Sequence, residues 1–164
     1  MRIVIQRVKN ASVIVANETV SSIGKGLMIL VGISTKDTIE DVSKMSRKIV
    51  NLRLFEDLEE RTSSNTEKYS GKPWAKSVMD EKSYSILSVS QFTLYGTIKK
   101  GTKPDFHAAQ KGELAKELYD TFLQRLRGYL GDERVKDGKF GEMMEVNIVN
   151  DGPVTIVWDT QNNI

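Results

Sequence analysis

The chain has no cysteine, a single histidine and three prolines. Without cysteine there are no disulfides, no thiolate nucleophile and no cysteine-ligated zinc or iron–sulfur site. One imidazole, His107, leaves a histidine-based metal centre short of ligands, so neither metal nor cofactor is expected. Excess charge is also missing: 24 Lys and Arg stand against 22 Asp and Glu, a net charge of +2. Bulk electrostatics therefore offer nothing to a polyanion, and any nucleic acid has to be met by a local patch. No apolar run approaches the roughly 20 residues that cross a bilayer. The opening Met1-Arg2-Ile3-Val4-Ile5-Gln6-Arg7-Val8 turns polar too soon for a signal-peptide core. The expectation is one cytosolic domain over residues 1–164, away from membranes and DNA, burying roughly 70% of its unfolded surface.

What is present alternates between strand and helix signals. Residues 2–8, the run from Ala11 and the run after the Asn17-Glu18 turn are rich in β-branched residues and read as a meander of strands. Leu27-Met28-Ile29-Leu30-Val31-Gly32-Ile33 is apolar without alternation, the pattern of a strand covered on both faces. Thr38 followed by Asp41 resembles a capping box, and Ile39, Val42, Met45, Ile49 and Leu52 then share one helix face, with Lys44, Arg47 and Lys48 outward. A short strand is expected over Arg53 to Asp57, then a polar, mobile loop over 58–72. A second helix is expected from about Lys111 to Arg127, stopped by Gly128 and Gly131. Lys136 to Gly141 reads as a turn, and Glu142 to Val149 with Val154 to Trp158 as a closing pair of strands around Gly152-Pro153. About seven strands and two helices, with strands consecutive at both ends, favour a mixed or antiparallel sheet on a helical layer over a doubly wound fold.

The chemistry is expected where Ile86-Leu87-Ser88-Val89-Ser90-Gln91-Phe92-Thr93-Leu94-Tyr95-Gly96 changes from apolar strand to polar end. A rigid strand handing over to a loop is where functional groups are commonly presented. A second stretch, Asn150-Asp151-Gly152-Pro153-Val154-Thr155-Ile156, joins it. Together they resemble the two signature motifs of the D-aminoacyl-tRNA deacylases. Gln6-Arg7-Val8, Asn51-Leu52-Arg53 and Lys103-Pro104-Asp105-Phe106-His107 extend the likeness over essentially the whole chain.

The resemblance implies a β/β/α layered, barrel-like α/β domain that forms a homodimer. It implies hydrolysis of the ester of D-aminoacyl-tRNA, and of mischarged glycyl-tRNA, without metal. It also implies that the Gly152-Pro153 bond is cis and enters the partner's site, where its main chain excludes L side chains. From sequence alone a trans bond would be expected, since only about 5% of X–Pro bonds are cis. Ser90, Gln91 and Phe92 would then line the aminoacyl pocket, with Thr93 against the ester or terminal adenosine.

Other roles stay open. Thr93 either attacks as a nucleophile, which needs a base within reach, or positions the substrate. His107 is either a general base or a tie for its loop. Lys99, Lys100 and Lys103 are either a solvated face or contacts to tRNA phosphates. Phe140 and Met144 either hold the adenosine or belong to the core. The rival functions are a non-catalytic RNA-binding module, with Phe106 as a stacking ring, and an esterase for a small non-tRNA substrate.

Overall fold

The computed structural model describes residues 1–59, 71–99 and 101–162. Lys100 and most of the expected loop over 58–72 lie outside them. The described chain runs β1 (Arg2–Val15), β2 (Glu18–Ile23), β3 (Gly26–Gly32), α1 (Ile39–Asn51), β4 (Arg53–Asp57), β5 (Lys72–Ser77), β6 (Ser85–Ser90), a 3₁₀ turn (Phe92–Tyr95), α2 (Gly112–Leu130), a second 3₁₀ turn (Asp132–Arg134), β7 (Val135–Asp137) and β8 (Glu145–Asp159). Six strands form one mixed sheet in the order β2-β1-β3-β6-β7, with β8 on the other side of β1, and β4 with β5 forms a separate ribbon. The sheet is barrel-like and the two helices cover one side of it, as the resemblance implied.

The long strand β1 is where expectation and structure first part. The polar Lys9-Asn10 pair reads as a break between two strands, yet the chain continues through it. Against β8, Val8 pairs with Asn150 and Asn10 with Val149, so Lys9 is an extra residue. A bulge of one residue reverses which side chains face which way. Ile3 and Ile5 accordingly point to the core under the helices, whereas Val8, Ala11 and Val13 join Ile23, Met28, Leu87 and Val89 in a second cluster.

β3 is buried along both faces, as its unbroken apolar run suggests: Leu27, Ile29 and Val31 belong to the helical-side core and Met28 to the other. The parallel pairing of β3 with β6 requires a crossover, and α1 lies within it. The Thr38 amide and hydroxyl each donate to Asp41 Oδ2 at 3.0 Å, and Val42, Met45 and Ile49 are wholly buried. α2 buries Leu118, Tyr119, Phe122, Leu123 and Leu126. It runs through Gly128 and ends at Gly131, whose φ of 90° is open to glycine and whose N–H reaches the Arg127 carbonyl at 2.7 Å.

Two further corrections concern the C-terminal third. Lys136 and Asp137, read as the start of a turn running to Gly141, instead join Val135 in β7, parallel to β6. The expected closing pair is instead one strand, β8, antiparallel to β1 at both ends. Local turn signals at Gly152-Pro153 are real, but pairing with β1 on each side keeps the chain travelling in one direction.

A buried polar cluster ties α2 to the sheet. The Tyr119 hydroxyl donates to Asp137 Oδ1 at 2.7 Å and lies 3.0 Å from Ser88 Oγ. Burial raises both the Tyr119 phenol and the Asp137 carboxyl above their ordinary ranges. A carboxyl raised in the folded state stabilises fully below its unfolded pKa, and that contribution is lost as pH rises through the folded value. Asp137→Asn, which keeps an acceptor for Tyr119, should therefore raise the melting temperature relative to wild type at pH 8. The gain should shrink towards zero at pH 3 in parallel thermal melts.

Candidate active site

The turn after β6 is built by its neighbours. Ser90 pairs with Val31, and the Gln91 N–H donates to the Val31 carbonyl at 2.8 Å. Gly32 then makes room: a Cβ there would lie 3.0 Å from Leu94 Cβ and 3.2 Å from the Gln91 carbonyl oxygen. Arg2 braces the outside, donating to the Leu94 carbonyl at 2.7 Å, with its guanidinium 4.9 Å from the Tyr95 ring centroid. Phe92 and Thr93 are left exposed, and the Gln91 amide donates to Thr93 Oγ1 at 2.6 Å. Among the described residues no carboxylate or imidazole is hydrogen-bonded to Thr93. Its hydroxyl is held as an acceptor for Gln91, with its proton available to a ligand.

The following loop is closed by reciprocal bonds between Thr97 and Asp105, 2.8 and 2.9 Å long. Phe106 packs edge-on to Phe92, with centroids 5.2 Å apart, and against Gly96, where a Cβ would be 2.9 Å from Phe106 Cε1. Lys99 and Lys103 are exposed on this loop. The Asp105 carboxyl accepts from the His107 N–H at 2.9 Å and meets His107 Nδ1 at 2.5 Å. Those contacts hold the carboxyl below its ordinary range. His107 is thus engaged with its own loop.

The 138–144 turn lies against the other flank of β6. The Gly138 N–H donates to the Ser88 carbonyl at 3.1 Å, and the Lys139 N–H to Met144 Sδ at 3.3 Å. Phe140 and Met144 are half-buried, Phe140 against Tyr119 with centroids 5.7 Å apart. Each is partly core and partly accessible beside the strand end.

Gly152-Pro153 is a cis peptide, and both residues are exposed. Gln6 pairs with Thr155 and Val8 with Asn150, so four residues, Asp151 to Val154, stand opposite Arg7 alone. Arg7, almost wholly buried, donates to the Leu54 carbonyl at 2.7 Å and the Asp151 carbonyl at 3.3 Å, and pairs with the Asp151 carboxylate at 3.5 Å. Asn150 Nδ2 donates to the carbonyls of Arg7 at 2.8 Å and Val154 at 3.2 Å. The corner is therefore fixed from beneath. Arg7 has no role legible in the sequence beyond its place in Gln6-Arg7-Val8, because only the pairing of β1 with β8 puts it under Gly152.

Within this chain the two motifs lie apart on the sheet. Val31 aligns Ser90 with Ile3, four residues along β1 from Arg7, and three strand spacings separate β6 from β8. At about 3.3 Å per residue and 4.8 Å per strand, the separation is roughly 20 Å.

A mixed, barrel-like sheet with two helices agrees with the fold that the resemblance to the deacylases implied. The profile of the D-Tyr-tRNA(Tyr) deacylase family matches residues 4–159, and the chain belongs to that family. It is 53% identical to the D-aminoacyl-tRNA deacylase of Eremothecium gossypii, over 98% of this chain and 99% of that protein. To human D-aminoacyl-tRNA deacylase 1 it is 52% identical, over 95% of this chain and 68% of the human protein. The solved structure of a protein named c-Myc DNA Unwinding Element Binding Protein superposes with a TM-score of 0.86 at 50% identity, covering 98% and 99% of the two chains.

Gly152 has a φ of 122°, and a Cβ on it would meet Val154 Cγ2 at 2.8 Å and the Val154 nitrogen at 3.0 Å. Gly152→Ala should lower unfolding free energy by about 1–3 kcal/mol, the range for a residue forced into sparsely populated backbone space. Urea denaturation of the two proteins measures it, and an unchanged midpoint would mean that the corner relaxes freely.

Proposed function

We propose that this protein hydrolyses the ester joining a D-amino acid to the 3′ end of tRNA in the cytosol, releasing free amino acid and tRNA. The observation that carries the reading is identity above 50% over nearly the whole chain to proteins named D-aminoacyl-tRNA deacylase. Glycyl-tRNA is a further substrate, because the filter acts on a side chain that glycine lacks.

In this reading the working unit is a homodimer, and Gly152-Pro153 of one protomer closes the Ser90-to-Thr93 site of the other. The roughly 20 Å between the motifs in one chain favours this arrangement. So does β8, which pairs only with β1 among the described strands and exposes Val149 and Val157. A main-chain carbonyl held beside the substrate Cα leaves no space for an L side chain, whereas a D side chain points away.

The chemistry requires little. An aminoacyl ester is activated, its neighbouring ribose hydroxyl can assist, and Thr93 with Gln91 fixes the ester while main-chain N–H groups polarise its carbonyl. Water is the attacking group, and no metal takes part. Ser90 and Phe92 line the aminoacyl pocket, Phe140 and Met144 hold the terminal adenosine, and Lys99, Lys100 and Lys103 meet phosphates. The neighbour named for binding a DNA unwinding element favours a second reading, a nucleic-acid-binding module without catalysis, in which the same lysines would serve.

Matched D- and L-aminoacyl-tRNA separate the two. Amino acid should be released from the D ester and from glycyl-tRNA but not from the L ester, with EDTA making no difference. Binding of all three without release would favour the second reading. Thr93→Ala should keep a reduced but measurable rate, about 10- to 100-fold down; complete loss in a folded, tRNA-binding variant would make Thr93 the nucleophile.

Charge makes an independent prediction. Replacing Lys99 and Lys103 by Ala should flatten the dependence of log Kd for tRNA on log salt by roughly 1.4–1.8, at about 0.7–0.9 for each phosphate no longer neutralised. The D-over-L preference should stay as it was. An unchanged slope returns both lysines to a solvated face.

A further inference from the structure

Beside Gly152-Pro153 opens a cavity of about 840 Å³, within the roughly 300–1,000 Å³ typical of ligand sites. Arg7, Lys9, Lys25, Trp74 and Tyr84 are among the residues that line it together with the corner. The charge of Arg7 is already matched by Asp151. Lys9 and Lys25 are exposed, and neither is ion-paired to a described residue.

The position of those two lysines is unusual. Val8 pairs with Gly26 at the end of the antiparallel β1–β3 ladder, so the next step of the register sets Lys9 beside Lys25. Like charges side by side across strands destabilise a sheet. Among the described residues the wall carries one further carboxylate, Glu56, against these two lysines.

Trp74 supplies the second element. Its φ of 57° is a conformation that bulky L residues rarely adopt, and such departures gather where a side chain is held for a purpose. The indole is 50% exposed, with the Arg7 guanidinium 5.9 Å from its ring centroid. A half-open ring next to two cations that have no ion-pair partner among the described residues suits a ligand with both phosphates and a flat base. Single-stranded nucleic acid combines the two.

We propose that this cavity binds the unpaired nucleotides preceding the aminoacylated adenosine, with Lys9 and Lys25 meeting their phosphates and Trp74 stacking on a base. The identity of the RNA rests on the reading of Gly152-Pro153 as the group that meets the aminoacyl end, since the cavity shares that wall. The chain would then grip the 3′ end of tRNA at a place separate from the lysine loop at Lys99 and Lys103.

The chain has two tryptophans, so Trp158→Phe leaves Trp74 as the only reporter. Its fluorescence should be quenched by uncharged tRNA and not by the same tRNA lacking its last three nucleotides. Lys9→Ala with Lys25→Ala should raise Kd for intact tRNA about tenfold at low salt and flatten the salt slope by roughly 1.4, at about 0.7 per phosphate on a single strand. Trp74→Ala should raise KM for D-aminoacyl-tRNA about tenfold and leave kcat within about twofold. Hydrolysis of the minimal ester D-aminoacyl-adenosine should be unchanged in all these variants, which also reports that they are folded. Equal quenching by intact and truncated tRNA, or unaltered binding by the double lysine variant, in a protein that still hydrolyses D-aminoacyl-tRNA would overturn the proposal. A wild-type protein that hydrolyses no D-aminoacyl ester would overturn the underlying reading first.

Discussion

Pairing of β1 on both of its sides is the constraint from which the rest of the molecule follows. β3 and β2 take one edge in succession, and β8 takes the other at both ends of the strand. A strand held in this way has no freedom to slip, because a shift by one residue would exchange its core and outer faces. The bulge at Lys9 and the four-residue excursion at Gly152-Pro153 are therefore pinned in register. Both open towards the same cavity, so the irregularities of the sheet lie where a ligand can use them.

The two candidate motifs are supported in different ways. The strand end at Ser90 to Thr93 is positioned by packing: Gly32 lets the turn approach β3, and Arg2 and Phe106 brace it from outside. The Gly-Pro corner is positioned by hydrogen bonds from Arg7 and Asn150 to main-chain carbonyls. Rigid support matters most where geometry, and not an activated nucleophile, is asked to supply rate and selectivity. Thr93, bonded only to Gln91 among the described side chains, fits a site of that kind.

Much of the layout can be read from residues alone, and the failures share a cause. α1 is legible because its cap and its buried Val42, Met45 and Ile49 are local signals, and β3 because an unbroken apolar run has few alternatives. The polar strand end after Val89 stands out against the apolar residues before it. Lys9-Asn10 and Gly152-Pro153 look like ends of strands because both carry local turn or solvent signals, and only pairing over more than 130 residues carries the strands through. Gly128 looks like a stop, although packing of Leu126 and Leu130 carries α2 to Gly131. The bracing role of Arg7, the backbone of Trp74 and the approach of Lys9 to Lys25 are not legible, since each depends on pairing between separate strands.

The outer edge of β8 has a consequence for how this protein ages in solution. Fifteen residues of strand with one edge lacking a strand partner among those described form a template for further strands. In the homodimer proposed above, a second copy laid there would complete a site and blunt a hazard in one event. A chain that loses its cover would then be drained into irreversible association, so shelf life would be governed by the rate at which that edge is uncovered and not by the free energy of unfolding.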